Sequence, residues 1–224
     1  MEFSRYAIYA VPEGELFARG TAWLGWDLSR GAAAVQPALG FDWASVTEKP
    51  ARYGLHATLR APFALNANAL PTDLENLCEE LSLTLRPLPL GELRLARLGR
   101  FLALIPEHNT QIEDFASYIV RQSNPLRRPL SDDEITKRLP RAFPDEGRQN
   151  LVDWGYPHVM QRFRFHITLT DTLSKAQMPI VEQAATHWFS SVLHDPVILR
   201  SLCLVGEDAM SKRFHLLQRF PIRQ

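Results

Sequence analysis

A chain of 224 residues with 25 Lys plus Arg against 25 Asp plus Glu carries no formal net charge, which argues against the broadly basic surface that a non-specific binder of long nucleic acid needs to release counterions. Its two cysteines, Cys78 and Cys203, sit in apolar segments without CxxC spacing, which speaks against a disulfide framework and a structural zinc site. Residues Met1 to Arg5 contain no basic region followed by an apolar run, and no stretch reaches membrane-spanning length, so a soluble, reduced, cytoplasmic protein is expected.

Residues 5 to 11 alternate Tyr6, Ile8 and Ala10 with Ala7, Tyr9 and Val11, the pattern of a central strand covered on both faces. Leu16, Phe17, Trp23, Leu24 and Trp26 predict a helix over 13 to 27, weakened by Gly20 and Gly25. Beyond Gly31 the period fades; Asp42 caps a short helix that Pro50 ends, in a connection bordering a pocket. The next strand runs from about Tyr53 to Phe63. It carries Arg52, Gly54, His56, Thr58 and Arg60 on one face and Leu55, Ala57 and Leu59 on the other, with Arg60 a substrate-contact candidate and solvated strand ends the equal alternative for Arg52 and Arg60.

Thr72-Asp73-Leu74-Glu75 reads as a capping box opening a helix to about Leu83. Residues 92 to 106 read as a hairpin turning near Gly99. A second box, Thr110-Gln111-Ile112-Glu113, opens a helix through Phe115, Ala116, Ile119 and Val120. Residues 123 to 160, rich in Pro, Arg and Asp, look like an insertion or lid over the core, with Ser131 capping a short polar helix. Within it Arg127, Arg128 and the run Trp154-Gly155-Tyr156-Pro157 offer cationic and aromatic walls for a phosphorylated ligand; surface packing is the equal alternative.

Residues 162 to 170 form another strand, with Arg162, Arg164, His166, Thr168 and Thr170 on its polar face and Phe165, Ile167 and Leu169 on its apolar one. Ser174-Lys175-Ala176-Gln177 starts a helix to about Leu193, and strands over 196 to 205 and 212 to 220 close the chain around Gly206-Glu207-Asp208. The element order is roughly duplicated, suggesting two α+β lobes that meet at the histidine strands.

Leu55-His56-Ala57-Thr58-Leu59 and Phe165-His166-Ile167-Thr168-Leu169 say nearly the same thing. Two unrelated His-x-Thr-Leu runs are expected in about one such chain in a thousand, so the pair carries meaning that one copy would not. In-line cleavage of a phosphodiester needs one group to take a proton from the nucleophile and another to give one to the leaving oxygen. Imidazole suits both tasks near neutral pH. Thr58 and Thr168 can hold the non-bridging oxygens, and arginines can offset the charge that builds there. Metal binding would want further ligands: His158 lies at a spacing without ligand logic, and His187, His194 and His215 read as ordinary surface or core residues. No GxSxG elbow, P-loop or Rossmann glycine pattern is present.

The paired motifs resemble the signature of the two-histidine (2H) phosphoesterase superfamily, which includes 2',5' RNA ligase-like enzymes and cyclic nucleotide phosphodiesterases. More narrowly, Arg52 to Leu59, Phe101-Leu102-Ala103-Leu104, and Trp154-Gly155-Tyr156-Pro157 followed by Phe163-Arg164-Phe165-His166 are similar to the bacterial branch associated with phosphonate metabolism, over nearly the whole chain. The resemblance implies a single bilobal α+β domain over 1 to 224, with two antiparallel sheets and flanking helices in pseudo-twofold arrangement around a cleft. It implies His56 and His166 as acid and base, Thr58 and Thr168 as phosphate ligands, and Tyr53, Arg127 and Arg164 as substrate contacts, with no metal and no cofactor. Leu55, Leu126 and Arg162 depart from the branch, which commonly has aromatic residues at the first two positions and an acidic residue at the third. The expected substrate is a small cyclic phosphate, such as a ribose 1,2-cyclic phosphate of phosphonate breakdown. Rival readings are an RNA-end 2',3'-cyclic phosphodiesterase or 2',5' ligase, and a phospho-ligand binder without turnover.

Overall fold

In the computed structural model of the chain, residues 2–107, 111–139 and 143–223 are described. The first strand, β1 (Phe3–Ala10), is followed by α1 (Gly14–Leu24), and that helix stops where Gly25 turns left-handed at φ 74°. Trp26 therefore leaves the helix in which it was expected. It opens a small hairpin of β2 (Trp26–Asp27) and β3 (Ala32–Ala33). Next comes α2 (Ala44–Ala51), which carries Pro50 inside its last turn instead of ending before it.

The first histidine strand, β4 (Ala57–Phe63), leads to α3 (Pro71–Thr84). Its cap differs from the expected Thr72 box: Pro71 takes the first helical position, and the Asp73 carboxylate reaches back to the Leu70 N–H at 2.8 Å. Then follow β5 (Leu88–Gly91), the hairpin of β6 (Leu93–Leu98) and β7 (Phe101–Pro106), and α4 (Gln111–Ser123). The Thr110 box lies outside the described residues. Two helices, α5 (Asp132–Arg138) and α6 (Asp145–Trp154), occupy the segment read as an insertion, and Ser131 caps the first as expected. The chain ends through β8 (Ile167–Thr168), α7 (Gln177–Phe189), β9 (Val197–Leu199), β10 (Ser201–Asp208) and β11 (Phe214–Pro221). Ser174 and Gln177 exchange side-chain to backbone hydrogen bonds ahead of α7, as the sequence predicts.

The α+β class and the antiparallel pairing with flanking helices hold. The two strand groups meet edge to edge, β4 against β8, so that β11-β10-β1-β4-β8-β7-β6 run as one seven-stranded sheet. The strand order is balanced about the histidine strands, β1 and β10 lying outside β4 as β7 and β6 lie outside β8. The elements after α3 and α7 cross over: β6 joins β7 in the second half, and β10 joins β1 in the first. One face of the sheet packs on the helices. Leu55, Ala57, Leu59, Ile167 and Leu169 are buried there with Ile8, Trp23, Ile119 and Phe189, as period-two alternation requires. The Trp23 indole donates to the Leu169 carbonyl at 2.9 Å, tying α1 to the chain just past β8.

Candidate active site

The pairing of β4 with β8 sets Ala57 opposite Ile167. Carried one residue either way, the register puts His56 opposite Thr168 and Thr58 opposite His166, all four on the face turned from the core. The two histidines are then diagonal neighbours, a relation that sets residues about 7–8 Å apart and their Cβ atoms somewhat closer. That gap suits one phosphate gripped from two sides. All four side chains line one cavity of about 650 Å³, within the usual range for small-molecule sites.

Each imidazole is held by the same local device. His56 Nδ1 lies 2.9 Å from the Gly54 carbonyl, and His166 Nδ1 lies 2.7 Å from that of Arg164. A carbonyl only accepts, so Nδ1 carries the proton in both neutral rings and Nε2 keeps its lone pair. His56 Nε2 accepts from the Thr58 hydroxyl at 3.1 Å.

The Gly54 carbonyl reaches His56 because Gly54 is left-handed, φ 71°, where an added Cβ would stand 2.7 Å from Leu28 Cβ. Gly54→Ala is therefore expected to cost about 2–3 kcal/mol from backbone strain and crowding. Urea melts read the stability, and a fall in kcat larger than the change in KM reads the displaced carbonyl.

The surroundings of the two rings differ. Tyr9 of β1 pairs with Thr58, and its ring stacks on His56 at 3.8 Å between centroids. The matching position of β7 against Thr168 is Ala103, and among the described residues the ring beside His166 is Phe101, tilted at 6.0 Å. Burial holds the His56 imidazole at about 4, and the charge of His166 adds to the depression against the Gly54 hydrogen bond.

Among the other predicted residues, Tyr53 and Tyr156 line the cavity. Arg60 does not. The expected alternation from Arg52 to Arg60 fails because β4 begins only at Ala57 and bulges against β1: Tyr9 pairs with Thr58, but Ile8 pairs with Arg60. Arg60 is 1% exposed, donates to the Trp154 carbonyl at 2.7 Å, and lies over the Phe63 ring. Burial and the neighbouring Arg127 draw its guanidinium down to about 9. Arg60→Met is expected to orphan the Trp154 carbonyl and cost about 2 kcal/mol, read as a Tm drop of about 4–8 °C.

Arg127 lies off the same cavity, donating to the carbonyls of Arg128, Val152 and Asp153 and to the Asn124 side chain. Trp154 packs beneath Arg121 and against Val120, Val159 and Met160. The Arg164 side chain pairs with Glu113 on the surface, while its carbonyl positions His166.

The sequence profile of a family described as protein of unknown function, DUF1045, matches residues 58–215, which include Thr58, His166 and Thr168. The chain belongs to the DUF1045 family. Two curated relatives carry the name ribose 1,5-bisphosphate phosphokinase PhnN. The protein from Janthinobacterium sp. (strain Marseille) is 29% identical over 233 residues, 97% of this chain and 51% of that protein. The one from Laribacter hongkongensis (strain HLHK9) is 32% identical over 235 residues, 95% of this chain and 50% of that protein. The chain thus spans about half the length of the curated relatives it matches. Solved structures that align with it include E. coli LigT complexed with 3'-AMP (TM-score 0.49, 14% identity, all of both chains) and a structure described as a phosphoesterase (TM-score 0.48, 14% identity, all of both chains).

This DUF1045 chain also brings residues to the site that its sequence did not single out. Tyr9 sits in a strand apolar on both faces, so no polarity pattern marks it. His158 enters the cavity from the 123 to 160 segment beside Arg138, Phe143 and Leu151; burial, Arg162 and His166 lower its imidazole. Arg5 joins from the start of β1. Among the described residues, no three His, Cys, Asp or Glu side chains converge as metal ligands, and no helix is long and apolar enough to cross a membrane.

Proposed function

We propose that this chain is a phosphoesterase that opens a small cyclic phosphate by metal-independent general acid and base catalysis from His56 and His166. The observation that carries the reading is the diagonal placement of two imidazoles, each anchored through Nδ1 and each followed two residues on by a Thr that lines the same cavity. His56 is the base. Burial keeps it neutral at neutral pH, so Nε2 can take a proton from water as the water oxygen bonds to phosphorus. His166, protonated at Nε2, gives its proton to the ester oxygen whose bond to phosphorus breaks. Thr58 and Thr168 donate to the non-bridging oxygens, the Thr58 hydroxyl turning from His56 as substrate enters. Hydrolysis leaves a phosphate monoester beside a free hydroxyl, and proton exchange with solvent resets both rings.

The substrate class follows from chemistry and from the relatives' name. Opening a ribose 1,2-cyclic phosphate by cleavage at O2 leaves the 1-phosphate. With a 5-phosphate already present, the product is ribose 1,5-bisphosphate, the compound the relatives' name has phosphorylated. The sequence motif of a P-loop kinase is absent from this chain, so we assign it the hydrolytic step and not the phosphorylation. Cys78 and Cys203, both buried and unpaired, fit a cytoplasmic setting. Phosphorus NMR of the purified chain with ribose 1,2-cyclic phosphate in EDTA is the test: ring opening that proceeds undiminished supports the reading, and activity that vanishes with chelator and returns with zinc or manganese overturns its metal-free part. Binding without conversion of any cyclic phosphate would make the protein a sensor.

A further inference from the structure

A second cavity of about 470 Å³ adjoins the catalytic one and shares Arg5, Pro62, Arg138 and Gly155 with it. Six cationic side chains line it against two carboxylates, Glu134 and Glu207, in a chain whose charges otherwise balance. Arg127 is spent on backbone carbonyls and Arg128 is paired with Glu134. Arg5, Arg52 and Lys212 remain as the groups able to meet an anion, with Arg138, which donates only a long 3.4 Å bond to the Gly155 carbonyl and stands 3.9 Å from Glu134.

They are held in place from behind. Glu207, only 3% exposed, grips Arg5 side-on through Nε and Nη2, both at 2.6 Å. That fork leaves Arg5 Nη1 without a hydrogen bond among the described residues. Arg52 approaches the same carboxylate at 3.6 Å and donates to the Lys212 carbonyl. Lys212 adopts a left-handed backbone, φ 58°, a conformation that residues with a Cβ rarely take, and its carbonyl accepts from Arg52. Its ammonium has no hydrogen-bond partner among the described residues. The Tyr9 hydroxyl, wholly buried in the wall of the catalytic cavity with Arg5 close by, is likewise unpartnered.

We propose that Arg5, Arg52, Arg138 and Lys212 form a subsite for a second phosphate monoester on the same small substrate whose cyclic phosphate lies between His56 and His166. This rests on the catalytic reading above and narrows its substrate to a cyclic phosphate bearing a distal phosphate. A cavity of about 470 Å³ that shares its lining with the catalytic one has room for one such group, whereas an RNA strand needs a groove that runs on past the site. Arg5, which lines both cavities, joins the two subsites.

The test compares kcat/KM for 5-phosphorylated ribose 1,2-cyclic phosphate with that for the same compound lacking the 5-phosphate, at low ionic strength. Two charge-assisted contacts predict a preference of about a hundredfold for the phosphorylated compound. Lys212→Ala and Arg52→Gln, both at solvent-facing positions, are each expected to cut that preference about tenfold, mainly through KM. On the truncated substrate the same variants should lose less than about threefold, a split that general misfolding would not produce. Equal turnover of both compounds refutes the distal subsite and leaves the phosphoesterase standing. Turnover of neither refutes the catalytic reading and the subsite with it. Preference for a 2',3'-cyclic-ended oligonucleotide over both, falling steeply with salt, replaces the small substrate with an RNA end.

Discussion

Replacing either His56 or His166 by alanine is expected to lower kcat/KM on a cyclic phosphate at least a thousandfold, with the two variants closely matched. A positioned general acid or base contributes about 10²–10⁴, and here each ring has a distinct proton to move. The losses should not add. Once the base is gone, the acid has no developing leaving group to protonate, so the double variant falls little below either single one. Thr58→Val and Thr168→Val remove a donor to the non-bridging oxygens and leave the proton path intact, so their losses should be smaller. The two histidine variants should also differ in stability. Alanine at 56 removes the stacking partner of a fully buried Tyr9, whereas alanine at 166 opens onto space already bordered by Ala103. Steady-state kinetics with thermal melts on the same preparations separates the catalytic loss from the structural one. A His166→Ala enzyme retaining a tenth of wild-type turnover would remove it from the mechanism.

That His56, Thr58, His166 and Thr168 line one cavity was legible in the sequence because period-two alternation acts over only five residues. Leu55, Ala57 and Leu59 on one side fix the direction of His56 and Thr58 on the other, and the second copy repeats the instruction. What the sequence did not disclose depends on contacts made at long range. The bulge that swings Arg60 out of line is set by how β4 lies against β1, so extending the polar face beyond Thr58 overran the regular strand. Tyr9 faces the site because β1 is central, and its ring reads no differently from a core aromatic. The second cavity gathers Arg5, Arg52, Arg138 and Lys212 from four separate stretches. The single continuous sheet, in place of two, follows from the edge contact of β4 with β8, a pairing of two short segments 110 positions apart that local patterning does not specify.

A second expected result concerns acidity, and it separates His56 from an ordinary imidazole. Burial lowers its pKa from 6.5 to about 4. For kcat/KM, which reports the free enzyme, a base with an unshifted pKa would lose about tenfold for each pH unit below 6.5. With His56 as the base, the acid side of the profile should instead show no such loss down to about pH 5 and bend only near 4. Stability carries the same signature with a definite sign. Between pH 6.5 and about 4 the unfolded chain binds a proton at this position that the folded chain does not, so unfolding free energy falls as pH drops through that window and levels off below it. The gap corresponds to at most about 3–4 kcal/mol. Urea melts of wild type and His56→Ala at pH 7 and pH 4.5 isolate the contribution, because the other titrating groups are common to both and cancel in the difference. Wild type should lose more stability than the variant on acidification. An acid limb centred near 6.5, together with equal losses in the two proteins, would mean that His56 is solvated like a surface histidine and that the base lies elsewhere in the cavity.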